Sequence, residues 1–315
     1  MHSMKKLIAR HFPLVILAGL SVAVAILAPE FRTADNLTRV MYRTAVVGII
    51  ATGQTLVILT GGIDLSVGSV AALCGMVAGL LMSAMGAPVP VALAAGSALG
   101  LLCGTVNGLL VTLGRIPPFI VTLGMMMAAR GATMLNSSGN TISGFPASFA
   151  FLGGAKGWWI PVVITVAISV SFSVTLALTR FGRTLYAIGG NLASARLSGI
   201  NVYLMRTAAF ALCGLLSGFG GVVLASRTSV ATPNAGEGLE LDTIAACVIG
   251  GASLMGGEGG MAGTIAGALI MNVLVNFCNL KKFNPHWQTV LVGGLIVMLV
   301  FYDNYRKRKA GLLKD

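Results

Sequence analysis

The chain has 315 residues, 56% of them apolar and only 10% charged, whereas a soluble domain is roughly 25% charged. Composition therefore excludes an ordinary soluble globule and places the chain in a membrane. The formal net charge of +12 comes from basic residues gathered at the termini and in one central loop, the distribution of an orientation signal and not of a nucleic-acid footprint.

In chain order, Lys5, Lys6 and Arg10 precede an apolar run at 12–29. This resembles a signal peptide, but the run is long and Pro29 follows Ala28 where cleavage would fall, so it reads as an uncleaved first span. Further apolar runs lie at 44–60, 66–86, 88–113, 117–135, 158–179, 207–225, 243–255, 260–279 and 287–302. The expectation is an all-α integral membrane protein, a single transmembrane domain over 1–315 with about ten spans, the eighth of them short. An even number places both basic ends in the cytoplasm, the second being Arg306, Lys307, Arg308 and Lys309. It also places inside Arg115 and the loop at about 180–206, with Arg180, Arg183, Arg196 and Arg206. Arg32, Arg39, Arg43, Arg227, Lys281 and Lys282 then fall outside, against the positive-inside rule, and an external role is one explanation.

Between Asp35 and Glu237 the chain has one carboxylate, Asp64, inside Thr60-Gly61-Gly62-Ile63-Asp64-Leu65-Ser66-Val67-Gly68-Ser69. A carboxylate at membrane depth costs about 2.5–3.5 kcal/mol on insertion scales and persists only where something offsets that cost. The paired glycines allow a broken helix near 61–68, tolerated where protein or a water-filled cavity surrounds it. Two compatible readings stand: Asp64 caps a helix that starts at Leu65, or the break, with Gly61, Gly62, Asp64 and Ser66, lines a pathway or gate. Other polar groups available to a pathway are Gln54, Asn107, Asn272 and Asn276.

Gly96, Gly100, Gly104 and Gly108 recur every four residues, and Gly259, Gly263 and Gly267 repeat the pattern. Both series read as helix faces for close backbone approach, a packing signal. A weak internal repeat relates Gly61-Gly62-x-x-Leu65-x-x-Gly68 to Gly250-Gly251-x-x-Leu254-x-x-Gly257, but both copies fall near the same membrane side, unlike an inverted repeat. Cys74, Cys103, Cys213, Cys247 and Cys278 lie in apolar segments without metal-ligand spacing, so they read as packing residues and no metal site is expected.

No catalytic constellation is visible: His2, His11 and His286 stand apart, and GxSxG, HExxH and GxxxxGK[ST] are absent. The chain reads as a non-enzyme, and any ATP-driven step needs another subunit. The central loop is different in kind, since Leu192–Leu197 fits a short helix with Asn191 as cap and Gly199 as terminator. Its apolar residues cannot all face water, which points to docking on a partner.

Three stretches together resemble the ribose-type permeases of bacterial ABC importers, a group that includes permeases for xylose, galactose, galactofuranose and autoinducer-2. They are Thr60–Ser69, Gly182–Val202, and Gly236-x-x-Leu239-Glu240-Leu241-Asp242-x-Ile244-Ala245-Ala246 with Gly250-Gly251-x-Ser253-Leu254-x-Gly256-Gly257. The resemblance implies a multi-pass subunit of the bacterial inner membrane that pairs as a homo- or heterodimer. Its implied partners are a cytoplasmic ATPase and a periplasmic sugar-binding protein. ATP and Mg are used by that ATPase, with no cofactor bound by this chain. Asn191, Leu192, Ala193, Ser194, Ala195, Arg196, Leu197, Ser198 and Gly199 match the segment that couples such permeases to the ATPase. Members often carry an acidic residue where this chain has Leu192, which either weakens an ion pair with the ATPase or leaves that charge to a second, different permease.

On this footing the expected function is translocation of a sugar or sugar-like molecule by alternating access. Arg32, Arg39, Arg43 and Arg227 are then candidates to dock the binding protein. The alternatives are a secondary carrier with Asp64 as its ion-coupling carboxylate, a permease of the same family for nucleosides or branched amino acids, and a membrane scaffold without a pathway.

Overall fold

The computed structural model describes residues 2–153 and 157–309, and its named elements are all helices. In order they are α1 (His2–Leu27), α2 (Ala34–Leu59), α3 (Val67–Ser83), α4 (Val89–Thr112), α5 (Pro118–Ser137), α6 (Trp159–Leu178), α7 (Arg180–Gly190), α8 (Leu192–Leu197), α9 (Val202–Thr228), α10 (Leu239–Ile249), α11 (Met261–Leu280) and α12 (Pro285–Lys309). Local sequence accounts for many of the ends. Thr33, Thr179, Asn191 and Asn201 accept amide hydrogen bonds as N-caps of α2, α7, α8 and α9. Prolines with no amide hydrogen to lose stand in the first turns of α4 and α5.

Each expected apolar run coincides with a helix. Among the described residues, α2, α4, α5, α6, α9 and α11 are long and apolar enough to cross a membrane, and α3 and Pro13–Leu27 are shorter apolar helices. The run at 243–255 is the exception in kind. Its helix, α10, starts earlier and stops at Ile249, and 11 residues reach only about 16 Å, half a bilayer core. The other half of that crossing is non-helical. Ser229 and Val230 leave the end of α9, and the chain then runs down α3, with Ala231 beside Gly79 and Gly236 beside Gly68, before α10 begins.

The centre of the bundle is α2 packed on α9. In the apolar window of α2, 94% of the residues are buried, against 22% for α5 and for α6, whose outer faces are left uncovered. The four-residue glycine series works as expected on α4: a Cβ on Gly100 would lie 2.8 Å from Gly218 Cα, and one on Gly108 2.7 Å from Thr207 Cα, so the α4 and α9 backbones touch. The second series is shorter than expected. Gly263 and Gly267 of α11 face Gly250 and Ala246 of α10, but Gly259 precedes the helix at φ +136°. All five cysteines are buried and unpaired.

Candidate functional site

The turn after α2 is built by its own hydrogen bonds. Gly61 at φ +72° stops the helix, and the amides of Gly61 and Gly62 donate back to Ile58 O and Val57 O at 2.9 and 3.1 Å. The chain then folds back along α2. Gln54, with its amide turned so that oxygen meets N–H, donates to Asp64 O at 3.2 Å and accepts from Asp64 N at 3.3 Å. Asp64 is 1% exposed, and its Oδ1 accepts from Ser66 N at 2.8 Å and from Ser66 Oγ at 2.6 Å. Asn107 of α4 donates to Ser66 Oγ at 3.0 Å, and Thr122 of α5 donates to Ile63 O at 3.2 Å.

Three helices thus clamp one turn. The helix it launches starts at Val67, two residues later than expected, and Asp64 closes the turn before it, which is the structural reading of that carboxylate. Among the expected pathway groups, Gln54, Asp64, Ser66 and Asn107 come together. Asn272 and Asn276 do not: Asn272 donates to Ala268 O, and Asn276 forms a two-way carboxamide pair with Asn36 at 2.8 and 3.0 Å.

The same turn meets two other glycine pairs. Gly257 N donates to Leu59 O at 3.1 Å, and a Cβ on Gly256 would lie 2.8 Å from both Gly189 Cα and Gly61 N. The two copies of the internal repeat therefore touch each other, at the end of the bundle that carries α7 and α8. Tyr186 of α7 donates to Gly259 O at 2.8 Å, and burial pushes its phenol above its ordinary range.

Helix α8 forms over the expected residues, its cap Asn191 accepting from Ser194 N at 2.9 Å and Gly199 ending it at φ +77°. The expected docking residues divide between two faces. Ala195 is buried and Leu192 half-buried against Ile188 and Val202, while Leu197 is 90% exposed. Ala193, Ser194, Arg196, Ser198 and Gly199 are exposed beside it. Next to α8 lies a cavity of about 420 Å³ lined by Arg115, Arg196, Tyr203 and Arg206. Arg196 stacks over the Tyr203 ring at 5.9 Å, and the buried Nε of Arg206 has no hydrogen-bond partner among the described residues. Such a basket of guanidinium groups suits an anion.

At the opposite end, Arg39, Arg43 and Arg227 converge on a cavity of about 380 Å³ that also takes in Asn36 and Asn276. Arg39 pairs with Asp35 at 2.9 Å, Arg43 lies 3.7 Å from Asp242, and Arg227 sits 4.7 Å over the Tyr42 ring. Arg32 does not join them; its Nε donates to Ala25 O at 2.9 Å.

A charged residue inside an apolar run escaped the sequence reading. Arg130 lies inside α5, in the run at 117–135, and donates from one guanidinium nitrogen to Pro233 O at 2.5 Å and Ala235 O at 3.1 Å. It ties α5 to the non-helical segment 229–238. The signal that singled out Asp64, a charge within an apolar run, applies equally to Arg130.

Residues 36–300 match the family model described as branched-chain amino acid transport system / permease component. The chain is 42% identical over 304 residues to the ribose import permease protein RbsC of Escherichia coli, covering 93% of each. It is 41% identical over 303 residues to RbsC of Bacillus subtilis, covering 95% of this chain and 93% of that one. Identity to the xylose transport system permease protein XylH of Escherichia coli is 34% over 343 residues, covering 89% of this chain and 87% of that one. No solved structure matches.

Proposed function

The chain belongs to the ribose-type permeases of ABC importers, and from that membership we propose that it carries a sugar or sugar-like molecule across the bacterial inner membrane, driven by a separate ATPase. The observation that carries this reading is the near full-length similarity to two ribose import permeases and a xylose permease. In this reading both termini and α7–α8 face the cytoplasm, and Arg39, Arg43 and Arg227 face the periplasm. Helix α8 seats on the ATPase through its exposed face, with Leu197 entering an apolar hollow and the Arg115–Arg196–Arg206 basket receiving carboxylates. This contact has the opposite sense to the ion pair that an acid in place of Leu192 would make, so the basket adds a second charge contact and does not replace the missing one.

A periplasmic binding protein delivers the sugar, so the permease needs no tight site of its own. ATP and Mg act on the ATPase; binding of ATP moves the α8 segments of two paired permeases. The Gly61–Ser66 turn, which reaches the α7 end through Gly256, acts as the inner gate element that follows them. The family membership, and not the surroundings of Asp64, is what favours the importer over a secondary carrier that uses Asp64 for ion coupling.

The test is purification of the tagged chain in mild detergent from its own host, with every co-purifying protein identified by mass. An ATPase in the complex is the expected result, and a second related permease would mark a heterodimer. Reproducible isolation without an ATPase, from membranes that contain the candidate ATPase, would overturn the proposal.

A further inference from the structure

The non-helical segment 229–238 has no task in the account above, and neither does Arg130. Their depth is set by α3. Gly236 lies against Gly68, and from Gly68 to the far end of α3 at Ser83 is fifteen residues, or about 22 Å of helix. A bilayer core is about 30 Å thick, so the segment ends about three quarters of the way across, still inside it. There the backbone leaves helical geometry in a run of turns, and polar side chains crowd onto it. Asn234 and Glu237 are exposed, and Arg130 and Glu240 are partly so. Arg130 spends one nitrogen on two backbone carbonyls, Glu240 accepts from Gly238 N at 3.3 Å, and among the described residues neither Glu237 nor Glu240 is ion-paired. Lipid can solvate neither these charges nor the turn's backbone, so this face meets water or protein.

Resting on the permease reading, we infer that Asn234, Glu237, Glu240 and Arg130 line the water-filled translocation pathway and hydrogen-bond the hydroxyl groups of the passing sugar. Carboxylates accept from hydroxyls, a guanidinium donates to them, and a carboxamide does both; a few such groups along a pathway suffice for a weak, orienting contact. The Asp64 turn is the poorer candidate, because its polar atoms are engaged with α2, α4 and one another. Arg130 is a positioning residue as well, since it holds the carbonyls on either side of Asn234.

Cysteine accessibility tests the idea without relying on transport. Asn234→Cys and Glu237→Cys, in the permease–ATPase complex reconstituted in liposomes, are exposed to a charged, membrane-impermeant maleimide with and without ATP. The reference is Val166→Cys, on the uncovered apolar face of α6, and the parent measures any background from the five buried native cysteines. Labelling of both positions in at least one nucleotide state, roughly ten-fold faster than at Val166→Cys, is expected for a wet wall. Absence of labelling in every state would overturn the pathway and make this face a protein–protein seam.

The sugar contact has its own arm. Ribose and xylose, delivered with the binding protein, are expected to slow labelling of Glu237→Cys. At equal amounts of assembled complex, Glu237→Gln is expected to lower uptake roughly ten-fold, the worth of one charge-assisted hydrogen bond. Labelling without protection, together with normal uptake by Glu237→Gln, would remove the sugar from the proposal. Failure of the parent complex to import any sugar would instead count against the permease reading, and the labelling result would stand apart from it.

Discussion

Asn107 and Ser66, forty-one residues apart, meet when the α4 carboxamide donates to the Ser66 hydroxyl at 3.0 Å, while that hydroxyl donates in turn to Asp64. The chain of donors ends on the Asp64 carboxylate. Asp64→Ala should therefore act on stability first: losing the acceptor of a buried pair of hydrogen bonds costs about 1–3 kcal/mol. The heat-induced aggregation midpoint of the detergent-solubilised protein is expected to fall, and less for Asp64→Asn than for Asp64→Ala. An unaltered midpoint for both would contradict a structural carboxylate.

The seam between α4 and α9 gives a sharp contrast among glycines. Gly100→Leu puts a side chain into the α9 backbone and should abolish monodisperse protein in size-exclusion chromatography. Gly124→Ala on α5, with nothing within 4 Å of a new Cβ, should elute like the parent and gain slightly from helix propensity. Equal behaviour of the two would mean the seam is not formed.

Helix α8 is short, so its cap matters. Asn191→Ala removes the acceptor for Ser194 N and should weaken the helix by about 1 kcal/mol. Reduced recovery of ATPase with the tagged permease is the expected readout. Arg196→Glu paired with Arg206→Glu, which reverses two charges of the basket, should reduce that recovery further and more steeply at low salt. Full recovery for the charge-reversed pair would remove the basket from the interface.

At the opposite end Arg39→Glu is the cleaner probe: its neighbour Asp35 is largely exposed, so the new like-charge pair is screened by water, whereas Arg43→Glu would set a carboxylate beside the less exposed Asp242. If these cations steer the binding protein, Arg39→Glu should slow uptake at low binding-protein concentration and recover as that concentration rises. The deficit should shrink with added salt. A salt-independent loss that persists at saturation would point to a damaged α2 instead.

Hydrophobic length marked out most of the helices because burying apolar side chains is a local property of a run. It failed at 243–255, where half of the crossing is the non-helical segment 229–238, whose Ser229, Thr232 and Asn234 keep it outside every apolar run. The short helix after Asn191 was legible because cap and terminator lie within nine residues of one another. The meeting of Gly61 with Gly256 was not, since contact between distant turns leaves no local pattern. Arg130 was legible in principle; its partners are backbone carbonyls, which carry no signature of residue type. Gly259 joined the wrong series because spacing alone cannot show where a helix begins.

The junction of Gly61, Gly189 and Gly256 has a mechanical consequence. Main chain bears on main chain there, and no side-chain torsion lies between the end of α7 and the turn that starts α3. Rotamers are where a protein absorbs small displacements, so a linkage without them has little backlash. If α8 is moved by an ATPase as proposed, a shift of a fraction of an ångström is expected to reach the turn before α3 instead of being taken up on the way.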